Sequence, residues 1–82
     1  MLCWVASQSG GFYPLAGSDP EVTIAAVVIA RYATTCPYFL FKCDANWEVH
    51  QDRDCESVEQ AQQLAAMQIG RPLDWRVRDQ TR

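Results

Sequence analysis

The residues best suited to chemistry in this sequence are the single histidine and three of the four cysteines: Cys36, Cys43, His50 and Cys55. Thiolate and imidazole are the usual zinc ligands, and structural zinc sites commonly supply them as closely spaced Cys-x-x-Cys pairs. No such pair occurs here, and six residues separate Cys43 from His50. On a hairpin these two side chains would also point to opposite faces. The sequence therefore predicts no metal site, and a small zinc-binding protein is kept only as a third alternative.

A thiol beside an imidazole could also form a nucleophilic site, in which a base activates the nucleophile and a third group orients the base. His50 could pair in this way with Cys43 or with Cys55. A chain of 82 residues leaves little material for a substrate cleft, which typically occupies about 300 Å³ or more. Gly10-Gly11 precedes Phe-Tyr-Pro rather than a helix start, so it does not form a phosphate-binding loop. We therefore expect no enzyme activity, no catalytic residue and no cofactor.

Charged residues are distributed unevenly along the chain. Between residues 44 and 59 a single base, Arg53, stands against six acids: Asp44, Glu48, Asp52, Asp54, Glu56 and Glu59. From residue 71 onwards four arginines stand against two aspartates. Acids near a helix start favour solubility and complement the helix dipole. On a small rigid domain they can also steer a basic protein into contact.

Aromatic residues are plentiful, with nine in total, of which three are tryptophan. Aromatic side chains dominate the energetics of protein interfaces. Tyr38, Trp47 and Trp75 are therefore the predicted anchors of a partner surface beside the acids.

Overall charge and hydropathy argue against two classes of partner. A net charge of −3 with a single lysine, Lys42, disfavours direct nucleic-acid binding, which normally requires clustered Lys and Arg. The longest apolar run, 22–30, has nine residues, whereas a membrane-spanning helix requires about 20. The first six residues lack the basic start of a signal peptide. We expect a cytoplasmic protein with reduced cysteines, folded as a single domain over residues 1–82.

One helix is strongly indicated, over residues 57–69. Ser57 can cap the first turn, and Gln60 three residues later can return the bond. The apolar residues that follow have helical spacing. Gly70 supplies a left-handed closing residue and Pro72 prevents continuation of the helix.

A second helix is predicted over residues 20–32. Asp19 is a suitable N-cap, Pro20 fits the first helical position, and Glu21 suits the positive end of the dipole. The run behind them is rich in β-branched residues and is also compatible with a buried strand. The capping pattern and the length favour the helix.

The remaining segments indicate strands. Residues 2–6 could form a short one. Residues 38–43 and 47–51 flank the turn sequence Asp44-Ala45-Asn46, which predicts a hairpin over about 38–50. Phe39, Phe41 and Cys43 should then share one face, and the segment 52–54 should lead into the helix. Residues 73–78 alternate apolar with charged side chains, which is typical of a strand with one solvated face.

These elements predict an α+β fold: a small antiparallel sheet, made of the hairpin and the C-terminal strand, packed by helix 57–69. The functional expectation is a small acidic protein-binding module that occludes the basic surface of a nucleic-acid-handling partner. Such an inhibitor or adaptor would suit a phage or other mobile element, for example as an anti-CRISPR-type inhibitor. The alternative is a structural homodimer whose interface is formed by residues 22–30 and the aromatic strand, or by the acids of one copy against the arginines of another.

Overall fold

The computed structural model describes residues 2–17 and 21–79, and its architecture is α+β. In chain order its elements are β1 (Leu2–Ser7), β2 (Tyr13–Leu15), β3 (Val22–Ile24), β4 (Ala26–Ala30), β5 (Tyr38–Cys43), β6 (Val49–Cys55), α1 (Val58–Ile69) and β7 (Arg76–Asp79). Five strands form one antiparallel sheet in the order β6-β5-β4-β1-β7, and β2 and β3 form a separate two-stranded sheet. The predicted fold class is confirmed.

Helix α1 begins and ends where the sequence predicts. Ser57 has extended backbone angles, and its Oγ accepts a hydrogen bond from the backbone N–H of Gln60 at 3.1 Å. The Gln60 side chain returns a bond by accepting from the N–H of Glu56 at 2.6 Å, one residue before the cap. Gly70 has φ 88° and donates its N–H to the carbonyl of Ala66 at 2.7 Å. Capping at both ends fixes the length of the helix.

The helix predicted over residues 20–32 is wrong. The proposed cap, residues 18–20, lies outside the described residues, and the following run forms strands β3 and β4. Between the two strands, Ala25 donates its N–H to the carbonyl of Cys43 at 2.8 Å. β4 lies in the middle of the sheet, with β5 on one side and β1 on the other. A central strand is apolar on both faces, so its sequence lacks the alternation that identifies a half-exposed strand.

The hairpin of β5 and β6 is confirmed, but its return strand begins and ends later than predicted. Trp47 and Glu48 belong to the connecting turn, and β6 starts at Val49. The strand continues through residues 52–54 to Cys55, so these residues do not form a lead-in loop. The register pairs Lys42 with Gln51 and Cys43 with Val49, which leaves His50 as the extra residue of a β-bulge.

The C-terminal strand is confirmed with a later start, at Arg76 rather than residue 73. It pairs with β1 and therefore forms the far edge of the sheet, away from the hairpin. Leu73 and Trp75 precede it and pack as partly buried side chains against the core. The first predicted strand is confirmed as β1.

The core lies between α1 and one face of the five-stranded sheet. Ala61 and Ala65 of the helix contact a cluster of fully buried sheet residues: Ala6, Val27, Ile29, Leu40 and Cys55. In antiparallel strands, residues opposite each other share a face and neighbours along a strand alternate. Val28, Phe39 and Phe41 therefore lie on the opposite face, which we call the open face. Each of the three is only partly buried.

Candidate functional site

The turn between β5 and β6 is organised by the carboxylate of Asp44. Its Oδ1 accepts hydrogen bonds from the backbone N–H of Asn46 at 2.8 Å and of Glu48 at 3.1 Å. The backbone of Asp44 also bonds to the N–H of Trp47 and to the carbonyl of Glu48. An aspartate that binds the next backbone N–H groups in this way replaces several main-chain bonds of an ordinary turn. The position of the loop is therefore tied to one side chain.

His50 completes this arrangement from the bulge in β6. Its Nε2 lies 2.8 Å from Oδ2 of Asp44, with both side chains partly buried. An ionised carboxylate can only accept, so Nε2 is the donor. This bond, followed by the backbone bond from Glu48, lowers the pKa of Asp44 below the ordinary aspartate value. A bulge redirects the side chain of its extra residue, which explains why His50 reaches back to the turn.

Asp44, Glu48 and His50 are also the residues that could hold a metal ion. One potential ligand atom from each lies within 4.8 Å of the other two. Both oxygens of Asp44 already accept hydrogen bonds from the turn and from His50. These bonds explain why the three residues lie close together. The bonds of Asp44 to the turn and to His50 hold the hairpin turn in place, and we call them the Asp44 staple.

The cysteine and histidine residues considered as zinc ligands are not gathered at one place. Cys43 pairs with Val49, whereas Cys55 pairs with Tyr38 at the other end of the same ladder. Cys3, Cys43 and Cys55 are buried free thiols, and Cys36 is partly buried and also free. Burial raises the pKa of both Cys43 and Cys55, which keeps these thiols protonated and weakly nucleophilic.

A cleft of about 500 Å³ separates the hairpin turn from the loop after β1, so the expectation that a chain of this length leaves little material for a cleft is wrong. Its walls include Gln8, Gly11, Thr23, Asp44 and Trp47. Trp47 has φ 65° and is 54 % exposed. A non-glycine residue in the left-handed region carries a cost of about 1–2 kcal/mol. The turn bonds of Asp44 hold Trp47 in this conformation and present its indole at the surface.

The predicted acidic residues lie mainly on the outer edge of the sheet and at the start of α1. Asp52 and Asp54 are exposed, alternate along edge strand β6 and share the open face. Glu56 and Glu59 follow, also exposed, before and within the first turn of α1. We call Asp52, Asp54, Glu56 and Glu59 the acidic ridge. In the described part of the chain, none of these four carboxylates forms a salt bridge.

The predicted aromatic anchors occupy different environments. Trp47 is exposed in the turn. Tyr38 is partly buried, in an edge-to-face contact with Trp4 at 6.2 Å between ring centroids, and the guanidinium of Arg31 lies 4.6 Å from its ring. Trp75 is partly buried against the core. Trp47 is therefore the member of this set whose ring is most available to another molecule.

Lys42, the sole lysine, faces the core side of the sheet rather than solvent. It is 7 % exposed, and its Nζ lies 3.4 Å from Oε1 of Gln51. Burial, followed by the charge of Arg53, lowers its pKa. This lysine adds nothing to a basic surface.

A candidate feature that sequence reasoning missed is the relation between the two edges of the sheet. Arg76 lies opposite Val5 and Arg78 opposite Cys3 on β1, so both arginines share the open face with Asp52 and Asp54. Alternate spacing in residues 52–54 and 76–78 is visible in the sequence. The strand order that places the two pairs at opposite edges is not.

Comparisons with protein-family models, curated proteins and solved structures find no match to this chain. Among residues 2–17 and 21–79, no helix combines the length and apolar character needed to cross a lipid bilayer.

Replacement of Asp44 tests the staple through its pH dependence. The lowered pKa of Asp44 stabilises the fold above the ordinary aspartate pKa of about 3.9, and this contribution is lost as pH falls through the folded-state value. Asn keeps the acceptor oxygen but does not titrate. We expect Asp44→Asn to show a smaller loss of stability than wild type between about pH 5 and pH 2, measured by urea denaturation. Equal pH slopes in the two proteins would contradict this role.

Proposed function

We propose that this protein is a small, non-catalytic, cytoplasmic binding module that captures the basic surface of another protein through its acidic ridge. The observation that carries the proposal is the group of exposed carboxylates on β6 and at the start of α1, which lack basic partners among the described residues. Unpaired charges of one sign on a rigid element attract a surface of opposite sign and steer its approach.

The rigidity of the ridge supports this use. Asp52 and Asp54 are on a strand whose register with β5 is fixed by successive pairs, and Glu59 is on a helix capped at both ends. A backbone that is already ordered loses little conformational freedom on binding, which favours affinity. Charged residues on an edge strand also prevent edge-to-edge aggregation, so the same side chains serve solubility and recognition.

Trp47 and the turn carboxylates extend the proposed surface. Glu48 is exposed beside Trp47, and Asp44 holds both in place through the turn. A guanidinium or ammonium group over an exposed indole gains a cation–π contact. Trp47 would supply the buried aromatic contact, while the acidic ridge would supply charge. Tyr38 and Trp75 would then support the surface from the core.

The mode of action that follows is occlusion. A bound module would cover a basic surface that a partner otherwise uses to hold nucleic acid. A chain of 82 residues with a net charge of −3 suits an inhibitor or adaptor encoded by a phage or other mobile element, of which an anti-CRISPR-type inhibitor is one example.

The test uses two variants that remove the same number of negative charges. Glu56→Gln/Glu59→Gln removes two carboxylates from the ridge, whereas Glu21→Gln/Asp74→Asn removes two exposed carboxylates elsewhere. Tagged wild-type protein is used to isolate a partner from source-cell lysate, and the dissociation constant of that partner is then measured for each variant. We expect at least about a 10-fold increase for the ridge variant, since a rim charge pair contributes about 1 kcal/mol.

The control pair should change the dissociation constant less than about twofold, and wild-type binding should weaken as salt rises. Equal effects of the two variants would show that net charge, rather than the ridge, determines binding. Nuclease, hydrolase or transferase activity in the purified protein would contradict a purely binding role.

A further inference from the structure

The open face carries a row of residues with an arginine at one end and an aspartate at the other. Opposite residues in successive strand pairs give the row Arg76, Val5, Val28, Phe41 and Asp52, from β7 across to β6. Arg76 and Asp52 are exposed, Val28 and Phe41 are half-buried, and Val5 is buried, with 8 % of its surface exposed. The row is therefore basic at the β7 edge, apolar in the middle and acidic at the β6 edge.

A second row repeats this order one step along the strands. Arg78 lies opposite Cys3, and Ala30 lies opposite Phe39, which lies opposite Asp54. Trp4 and Ile29 are paired in the antiparallel register, so the next residues along each strand, Cys3 and Ala30, lie opposite each other. This joins the two halves of the row. The rings of Phe39 and Phe41 are stacked, with centroids 6.0 Å apart. Two parallel rows of the same chemical order thus cross the sheet.

We propose that the open face binds a second copy of this chain, with the two sheets packed face to face about a two-fold axis parallel to the strands. Rotation about this axis reverses the order of the strands but does not change the position of a residue along the strand direction. Each row therefore faces the same row of the other copy, in reverse order. Asp52 of one copy then lies over Arg76 of the other, and Asp54 lies over Arg78. Both charge pairs occur twice in the dimer, as an isologous interface requires.

Side-chain size agrees with the same axis. Phe41 falls over Val5 of the other copy, and Val28 meets its own equivalent at the axis. Phe39, which also packs against Tyr32 of its own chain with ring centroids 5.6 Å apart, falls over the position of the buried Cys3. Large side chains therefore oppose small ones, which lets packed sheets about 10 Å apart interdigitate. A cleft of about 340 Å³ near Val5, bordered by Trp47 and Arg76, lies where the Phe41 ring of the second copy would enter.

The other two-fold axis that brings these faces together runs across the strands, and charge disfavours it. That rotation places β6 over β6 and β7 over β7, so aspartates oppose aspartates and arginines oppose arginines. Like charges directly opposed across an interface disfavour association. Asp74 lies 3.9 Å from Arg76, but both side chains are highly exposed, so this pair is strongly screened and leaves Arg76 able to bind the second copy.

Self-association extends beyond the proposed function and does not depend on it. The dimer would cover Asp52 and Asp54 and leave Glu56 and Glu59 outside the sheet face. In the dimer, the arginines on β7 of the second copy bind the aspartates in the same way as the basic surface of the proposed partner would. Dimer formation and partner capture would compete for the two aspartates.

Charge exchange between the two edges tests the interface. Asp52→Arg/Asp54→Arg makes both edges basic, and Arg76→Asp/Arg78→Asp makes both edges acidic. By analytical ultracentrifugation between about 1 and 200 µM, we expect wild type to dimerise and each variant alone to have a dissociation constant raised at least about 100-fold. An equimolar mixture of the two variants should form a heterodimer, because both of its edge contacts pair opposite charges.

Circular dichroism of each variant verifies folding, and Val28→Lys offers a test that leaves both edges unchanged. This substitution places two like charges at the axis and should also give a monomer. Wild type that stays monomeric at about 200 µM, or folded variants that fail to associate when mixed, would overturn the proposal. Glu56→Gln/Glu59→Gln should leave dimerisation unchanged while weakening partner capture, so failure of one proposal is distinguishable from failure of the other.

Discussion

Leu40→Ala is expected to lower the free energy of unfolding by about 3 kcal/mol, within the usual 2–5 kcal/mol for a buried leucine. Leu40 is fully buried at the centre of the core, between Ile29 on β4 and the Ala61–Ala65 face of α1. Truncation removes the transfer energy of the lost atoms and leaves a cavity that a sheet with fixed register cannot fill. For a domain of this size the melting temperature should fall by more than about 10 °C.

Met67→Ala is the matched control for this substitution. Met67 is a large apolar residue of α1 but is 77 % exposed, so its truncation should change stability by less than about 0.5 kcal/mol. Urea denaturation of both variants, at one protein concentration, measures the difference. A loss below about 1 kcal/mol for Leu40→Ala would show that the packing of α1 on the sheet is looser than described.

The elements that were predicted correctly are those whose signals are local. Helix α1 is fixed by Ser57 at one end and Gly70 at the other, and each acts within one turn of its own position. The hairpin turn at Asp44 is equally local, because its carboxylate bonds to residues two and four positions later. Neither feature depends on the rest of the fold.

The segment 20–32 was predicted wrongly because its environment is not local. Val27 and Ile29 face the helix while Val28 faces the open face, so both sides of β4 are apolar. This pattern arises from pairing with β1 and β5, which are distant in sequence. The β-branched residues indicate a strand, whereas the apparent cap at residues 18–20 favours a helix, and tertiary pairing decides between these two local signals.

The candidate site was predicted only in part, for a similar reason. The exposed acids could be predicted because charged side chains are rarely buried. The conformation of Trp47 could not be predicted, since its left-handed backbone depends on the bonds of Asp44. The placement of Asp52 and Asp54 at one edge of the open face, and of Arg76 and Arg78 at the other, follows from the strand order β6-β5-β4-β1-β7. The predicted sheet has the last strand beside the hairpin, an order that does not separate these residues to opposite edges.

Ala61→Glu is the second large effect that we expect. Ala61 is fully buried against the sheet. Together with Ala65, its small side chain lets α1 approach β4 and β5 closely. A glutamate at this position would bury an unpaired carboxylate or displace the helix. Either result should cost about 3 kcal/mol or more. The measurement is urea denaturation, with amide hydrogen exchange of α1 to show whether the helix detaches first.

Gln63→Glu is the control, because it adds the same charge to the same helix at an exposed position. It should change stability by less than about 0.5 kcal/mol. The contrast between the two variants separates burial of charge from the general effect of added acidity. If Ala61→Glu and Gln63→Glu had the same free energy of unfolding, α1 would not pack on the sheet through Ala61. The face that carries Asp52, Asp54, Arg76 and Arg78 would then no longer be distinguished from the opposite face as the side of the sheet without a helix.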